Sequence, residues 1–403
     1  MFVRKERLAR VSALLAASAL TIGMFVSVTP TASAASNPTT FTIGATLPLT
    51  GSGGPFGQLF LFAMNTAAKY INSHGGVGTN HAHLKVVALD DQGLAGPAVI
   101  GTKQLVSVDH AVAILSAYTD PPLAQYKVGE TLGVPIINVG GNDPALPNHP
   151  NLYTTSSLFT AEEVVAFTYA KAHGVKSVGI LNANNYTTFD ISDFNKIAAN
   201  IFGKSNVTAQ TIDATASDYT TQLQALQAAS PDIISAMSSG TLTLTIAQDM
   251  TQLKMTQKEV GISGSLNTPS NIVTQPAWAG AYAGVAVAPA ASWLNSAVLK
   301  STKAAASVYS EFAANGVYLV ADAINKLESG HKSPTGKAIN STIATFCARG
   351  SKIADAGGTM SMLKNHDASL GYVIQQIGTG GAITTIQTLT SAQVKAELKA
   401  AGA

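Results

Sequence analysis

"LPLTGSGGPFGQ" occupies residues 47–58, between the apolar run "FTIGAT" (41–46) and "LFLFAMNTAAKYIN" (59–72), where Phe60, Met64, Ala67 and Ile71 recur at helical spacing. A glycine-rich turn between strand and helix is where nucleotide-binding proteins hold phosphates, so its reading decides the class of fold. A dinucleotide fingerprint needs Gly-x-Gly-x-x-Gly; Gly51 and Gly53 fit, but the third position is Phe56 and Gly57 comes one residue late. No acidic residue follows at the distance that would hold a ribose, since Asp90 and Asp91 come far later. A Walker loop needs Gly-Lys-Ser/Thr, yet no Lys lies between residues 35 and 68. The stretch reads as a tight strand-to-helix turn that presents Phe56, and no cofactor is expected.

Outward from this turn, strands and helices alternate. "LKVVAL" (84–89), "AVAIL" (111–115) and "VPIINV" (134–139) are continuous apolar runs, as in strands buried on both faces of a parallel sheet. Ala98, Thr102, Leu105 and Val106 repeat the helical spacing between the first two. A helix opens at Asp120-Pro121, with Asp120 expected as N-cap and Pro at the first helical position, and stops at Gly133. After a polar connection at 150–160 a second series follows: "SVGIL" (177–181), "NVTAQTI" (206–212), "PDIISAM" (231–237) and "EVGIS" (259–263), with Asp218 expected to cap a helix. "AYAGVAVAP" (281–289) is expected to return the chain to the first series. "GYVIQQI" (371–377) and "AITTIQTLT" (382–390) read as a late strand pair. The fold class is α/β, with two doubly wound lobes in series.

Residues 1–34 form a secretory leader: the basic "MFVRKERLAR", an apolar core, and the small-residue pattern Ala32-Ser33-Ala34. Cleavage is expected after about Ala34, with an uncleaved membrane anchor as the alternative. No Cys lies near that point to carry a lipid, which favours a periplasmic or extracellular location. Arg4, Lys5, Arg7 and Arg10 belong to the leader, so the remainder of the chain is close to neutral and no basic surface argues for nucleic acid. Charged residues make up only 11% of the chain, and Ser, Thr, Asn and Gln carry much of the surface instead. Cys347 stands alone, so the fold rests on its core; it reads as a small buried residue.

No catalytic constellation is present: no His-Glu-x-x-His, no Gly-x-Ser-x-Gly, no Cys beside a His. His81 and His83 have no acidic or Cys partner near in sequence, so no metal is expected, and Asp90-Asp91 read as turn-makers before "GLAGP".

The order of motifs resembles the type I periplasmic binding proteins of the leucine/isoleucine/valine-binding family. It is carried by "IGATLPLTGSGGPFGQ", "INSHGGVG", "LKVVALDDQGLAGPAVIGTKQLV", "LGVPIINVGGNDPAL", "SVGILNANNYTTFDISDF", "DATASDYTTQLQALQAASPDIISA" and "KNHDASLGYVIQQI", across nearly the whole chain beyond the leader. The resemblance implies two α/β lobes joined by three hinge crossovers, with residues 35–158 plus 287–365 in the first and 159–286 plus 366–403 in the second. It also implies a solute held in the cleft between them and handed to the membrane permease of an ABC importer, by a non-enzymatic and monomeric receptor. A ligand-sensing subunit of a signalling system would share this fold.

Carried over position by position, the family's contacts fall on Phe56 in the first loop, for which a core role is equally open. They continue with Tyr118, Thr119 and Asp120 in "SAYTD", with Gly140, Gly141 and Asn142 after the fourth strand, and with Tyr186, Ser239 and Ser265 in the second lobe. Two departures stand out. Asp120 takes a place where the family carries Ser to bind a carboxylate, and Ser265 takes the place of the acid that pairs with an ammonium. A branched-chain amino acid bound in the family's manner would lose its cation partner and meet an anion, each costing several kcal/mol if buried. A neutral or amide-like solute, or one with a positive end facing Asp120, is expected instead.

Overall fold

The apolar runs become strands because they are buried from both sides. The computed structural model describes residues 40–51, 53–141, 146–184, 188–236, 238, 240–262, 274–287, 291–302 and 307–402; the leader lies outside this set. In the first lobe, β1 (Thr40–Leu47), β2 (His83–Asp90), β3 (Ala113–Ser116), β4 (Ile136–Asn138) and β5 (Leu152–Thr154) form a wholly parallel sheet in the order β2-β1-β3-β4-β5. Helices α1 (Gly54–Ser73), α2 (Ala95–Ser107) and α3 (Asp120–Leu132) connect the first four strands. Alternate residues of β1 serve two cores. Ile43, Ala45 and Leu47 pack with Phe60 and Met64 of α1, whereas the other face of the sheet carries Ile114 and Ile136 against Leu105 and Leu123 of α2 and α3.

The second lobe repeats the plan. With α4 (Phe159–Ala172), α5 (Thr188–Phe202), α6 (Thr220–Ala228) and α7 (Gly240–Gln252), the strands β6 (Val178–Ala183), β7 (Val207–Ile212), β8 (Ile233–Ala236), β9 (Lys258–Ile262) and β10 (Tyr282–Val287) lie parallel in the order β7-β6-β8-β9-β10. Both sheets therefore have the order 2-1-3-4-5, and each has a switch point beside its first strand, where the crevice outside the carboxyl ends opens. β10 thus belongs to the second sheet, contrary to the expectation that this run returns the chain to the first series. It is held there by register with β9, and by Gly284, where a Cβ would lie 2.0 Å from the Glu162 carbonyl oxygen of α4.

The return comes after β10. α8 (Ser292–Thr302), α9 (Val308–Ser329) and α10 (Gly336–Arg349) pack on the first lobe, and β11 (Lys352–Ala354), β12 (Thr359–Met362) and β13 (Ala368–Ser369) make a small sheet. β14 (Gly371–Ile377) and β15 (Ile383–Leu389) then add antiparallel strands beyond β10, and α11 (Ser391–Ala401) packs against α4. The chain therefore crosses between the sheets three times, after β5, β10 and β13.

α9 is the longest helix among the described residues and is buried along most of its length. Near its start Phe312 accepts a hydrogen bond from Thr155 Oγ1 (2.9 Å), and Gly316 faces Val139 and Leu115. Near its end Asn325 and Glu328 accept from the backbone N–H groups of Gly78 (2.6 Å) and Thr79 (2.7 Å). α9 thus spans the first lobe from the carboxyl to the amino ends of its strands. Among the described residues no helix is long and apolar enough to cross a membrane.

Two capping assignments shift. Asp120 is the first residue of α3 and not its N-cap; Thr119 holds that place without a side-chain bond. The carboxylate still sits in the first turn, where the helix dipole favours it. Asp218 lies one place before the Tyr219 N-cap of α6, yet its carboxylate accepts from Thr220 N (2.8 Å) and so covers one free N–H.

Candidate functional site

The loops after β1, β3 and β4 meet at the first lobe's switch point, and each is fixed by a buried or bonded side chain. Asp90 closes the first: its carboxylate accepts from Leu49 N (2.9 Å), Thr50 N (3.3 Å), the Thr50 hydroxyl and Gln92 N (3.0 Å). The Thr50 hydroxyl and these N–H groups hold its pKa below the usual carboxylate value. Asp91 accepts from Gly93 N (2.8 Å), so the acidic pair makes turns, as its sequence context indicated.

Gly57 explains the displaced glycine of the first loop. A Cβ there would lie 2.1 Å from the Pro48 carbonyl oxygen, so α1 rests directly on the loop backbone. This brings Phe56 to the rim, half-buried, with its ring edge-on to Tyr309 of α9 at 5.5 Å. Tyr309 also meets Phe60 at 6.2 Å and Phe312 at 6.1 Å, a cluster that fixes the angle at which Phe56 stands.

Tyr118 adopts φ +70, and its N–H donates to Gly140 O at 2.5 Å, tying the β3 loop to the β4 loop. Its ring packs against Gly93, and its hydroxyl lies where a Gly53 side chain would stand; burial pushes the phenol up to about 12. Tyr118 thus braces three loops from beneath. Thr119 beside it is buried, while Asp120 is exposed and has no hydrogen-bond partner among the described residues.

Asn138, buried at the end of β4, was not singled out from the sequence. Its amide donates to Gly141 O and accepts from Gly140 N (3.4 Å), curling the turn back over the strand. Gly140 lies against the Phe60 ring. Gly141, at φ +76, lies against the ring of Phe159, where a Cβ would come within 2.8 Å. Phe159 opens α4, so an aromatic side chain of the second lobe touches the rim of the first. Its only signal in the sequence was its place after the polar "TTSS".

Phe56, Tyr118, Thr119, Asp120, Gly140 and Gly141 are therefore brought together on one edge. Asn142, Tyr186, Ser239 and Ser265 lie outside the described residues. On the second-lobe side, Asn184 accepts from Ala214 N (2.9 Å), and Ser238 is buried, accepting from Thr243 Oγ1 (2.9 Å). Among the described residues no three His, Cys, Asp or Glu side chains gather to hold a metal; His81 turns its Nδ1 to Gly75 O (2.8 Å). Cys347 is fully buried in α10, and burial pushes its thiol up to about 12, so it is inert.

A family model described as periplasmic binding protein matches residues 40–382. No curated protein sequence matches the chain. Among solved structures it is similar to a solute-binding protein of an ABC transporter from Rhodopseudomonas palustris BisB5, in complex with 3,4-dihydroxybenzoic acid: 17% identity, TM-score 0.73, 88% of this chain and 98% of that one. It is also similar to the leucine-binding protein LivK of Thermotoga maritima MSB8 (16%, TM-score 0.73, 88% and 99%). A third likeness is to LivJ of Streptococcus pneumoniae in complex with isoleucine (16%, TM-score 0.72, 86% and 99%). Two sheets of the same order, three crossings and a match over most of the length agree: the chain belongs to the type I periplasmic binding proteins, in the leucine/isoleucine/valine-binding group.

Proposed function

We propose that this protein is an extracytoplasmic receptor that captures a small polar or amphipathic solute by closure of its two lobes and delivers it to the membrane permease of an ABC importer. The observation that carries this reading is the rim at the first lobe's switch point, where loops after β1, β3 and β4 are locked together and face Phe159. Such a rim offers an aromatic lip at Phe56 and the exposed Asp120 carboxylate, whereas α3 opens Asp120-Pro121-Pro122 and so has few N–H groups to give. Phe56, Thr119, Asp120, Gly140 and Gly141 form the first-lobe contact set, with Tyr118 as its brace; Asn142, Tyr186, Ser239 and Ser265 complete it. Closure is favoured only as far as the solute prefers the closed state.

Residues 35–158 plus 287–365 make one lobe and 159–286 plus 366–403 the other in this reading, with the strand pairings of Val287 and of Ala368–Ser369 setting the last two crossings a few residues later. The exported receptor works as a monomer, with the leader removed after about Ala34. Similar structures carry 3,4-dihydroxybenzoic acid or isoleucine, each with a carboxylate. Asp120, exposed at the first position of α3, opposes a carboxylate at that end. The solute of this receptor is therefore neutral or cationic where it meets Asp120, and not a branched-chain amino acid. A thermal-shift screen over amides, polyols, polyamines, aromatic acids and amino acids, followed by calorimetry, tests this. A ligand at about 100 times its Kd raises stability by about 2.7 kcal/mol. Tight binding of leucine or valine would refute the charge argument, and a flat screen would count against the receptor reading.

A further inference from the structure

At the first lobe's switch point the N–H groups that would hold an anion are spent inside the protein. At the start of α1, Gly54 N donates to Gly51 O (3.1 Å), Phe56 N and Gly57 N donate to Gly53 O (3.0 Å each), and Pro55 has no N–H. α3 opens Asp120-Pro121-Pro122, so Asp120 alone among its first three residues carries one. In the loops, Tyr118 N donates to Gly140 O (2.5 Å), Val139 N to Ser116 O (2.8 Å) and Gly140 N to Asn138 Oδ1 (3.4 Å). A carboxylate entering here would give up its water for few donors, at a cost in binding.

Exposed carboxylates, in contrast, stand at the carboxyl ends of both sheets. Asp90 and Asp120 belong to the first lobe, Asp213 and Asp218 to the second, and all four are exposed. Asp213 follows β7, the second sheet's counterpart of β2. Asn184, beyond β6, accepts from Ala214 N (2.9 Å) and draws that loop to the second switch point. Hydrogen bonds from Thr50 Oγ1, Thr215 N and Thr220 Oγ1 hold the carboxyl groups of Asp90, Asp213 and Asp218 below the usual value. The stretches that leave the strands, through the first turn of the next helix, contain no Lys, Arg or His: 48–57, 91–98, 117–123 and 139–147 in the first lobe, and 184–191, 213–223, 237–243 and 263–275 in the second. Lys69, Lys103, Lys127, Lys171 and Lys196 come only in later turns of α1 to α5. A cleft edged by one sign of charge concentrates solutes of the other.

We propose, on the receptor reading above, that the solute is an organic cation: an amine or quaternary ammonium on an apolar body, with no carboxylate. Phe56 and Phe159, both half-buried at the rim, offer aromatic rings to the body and to the charge. Asp120, exposed at the first position of α3, meets the positive end. An amino acid fails on the same count, because its carboxylate gains few donors and the zwitterion brings no net charge to the field.

The test uses probes that share a phenyl ring and differ in charge: benzyltrimethylammonium, benzylamine, benzamide and benzoate. Each is followed by thermal shift and calorimetry on the exported chain near neutral pH, at low and high salt. The two ammonium probes alone should raise the unfolding midpoint, and their affinity should fall as salt screens the exposed carboxylates. Asp120→Asn, a change of charge at an exposed side chain, should weaken them about tenfold, and Asp120→Lys should abolish their binding. Benzamide or benzoate binding as tightly as the ammonium probes, no response to either ammonium probe, or an ammonium affinity unmoved by salt and by Asp120→Asn would overturn the proposal. If the ammonium probes fail while another class in the wider solute screen binds, the charge inference falls and the receptor reading stands. A screen flat for every class counts against both.

Discussion

Replacing Gly57 by Ala tests how closely α1 must sit on the loop that carries Phe56. In a helix interior Ala is better than Gly by about 1 kcal/mol, so propensity alone predicts a more stable protein. The structure predicts the reverse. The new Cβ would lie 2.1 Å from the Pro48 carbonyl oxygen and 2.5 Å from its carbon, both backbone atoms. Relief needs a separation of roughly 3.3 Å, so α1 and the loop must part by about 1 Å, and overpacking of that kind costs about 1–3 kcal/mol. The net expectation is a loss of about 0–2 kcal/mol, with Phe56 shifted at the rim and solute affinity reduced. Gly96→Ala is the matched control, since nothing lies within 4 Å of its Cβ and it too is helical. That variant should be unchanged or more stable, by up to about 1 kcal/mol. Urea unfolding of both variants, with calorimetry of the solute once found, gives the two readings. A Gly57→Ala protein more stable than its parent by the full propensity gain would refute the reasoning.

Other expectations concern charge and the second lobe. Burial, with Asp355 beside it, pushes Glu311 of α9 up to about 8. The folded state then holds that proton more tightly than the unfolded chain, so stability falls as pH rises from about 4.5 to 8 and levels beyond. Glu311→Gln should flatten that part of the pH profile of urea midpoints, and an unchanged slope would reject the assignment. Asp90 behaves oppositely: its pKa is held down, so its bonds to Leu49, Thr50 and Gln92 weaken as pH falls below about 4. Asp90→Ala should cost about 1 kcal/mol and weaken solute binding more than it weakens the fold; equal binding would separate the loop from the site. Asp120→Ser removes the exposed anion at the start of α3 and should strengthen carboxylate-bearing solutes about tenfold by calorimetry, a change of about 1.4 kcal/mol. Phe159→Ala takes away the ring that meets Gly141 and should weaken solute binding while leaving the first lobe's unfolding little changed.

The strands that sequence reading finds are those buried on both sides, because a run such as Ile136–Asn138 within "VPIINV" carries its own apolar signal. β5 escapes because Leu152–Thr154 sits in polar surroundings and is a strand only through its pairing with β4. β11, β12 and β13 are short and owe their existence to one another in the same way. α10 and α11 were legible in principle: Ile339, Ile343 and Cys347 recur every four residues, and Thr390 with Gln393 makes a capping box. At the site, loop residues adjacent in sequence could be read from the order of motifs. Asn138, Phe159 and Tyr309 could not, since each acts on a residue from a distant element: Tyr309 on Phe56 and Phe159 on Gly141. Asp120 was placed correctly on α3 but one position too early in its cap, an error of a single residue that local geometry alone decides.

The path of α9 also sets a timetable. The first lobe's strands end at Thr154, yet the helix that seals their α1 side begins at Val308, after the second sheet through β10 has been laid down. Closing that gap of roughly 150 residues carries a loop-entropy cost before any packing is gained. Leu115, Val139 and Phe60 therefore stay uncovered on that side until nearly four-fifths of the chain is present. Pulse-labelled hydrogen exchange should then register α1 and α9 gaining protection together, and α1 protected well ahead of α9 would contradict this order.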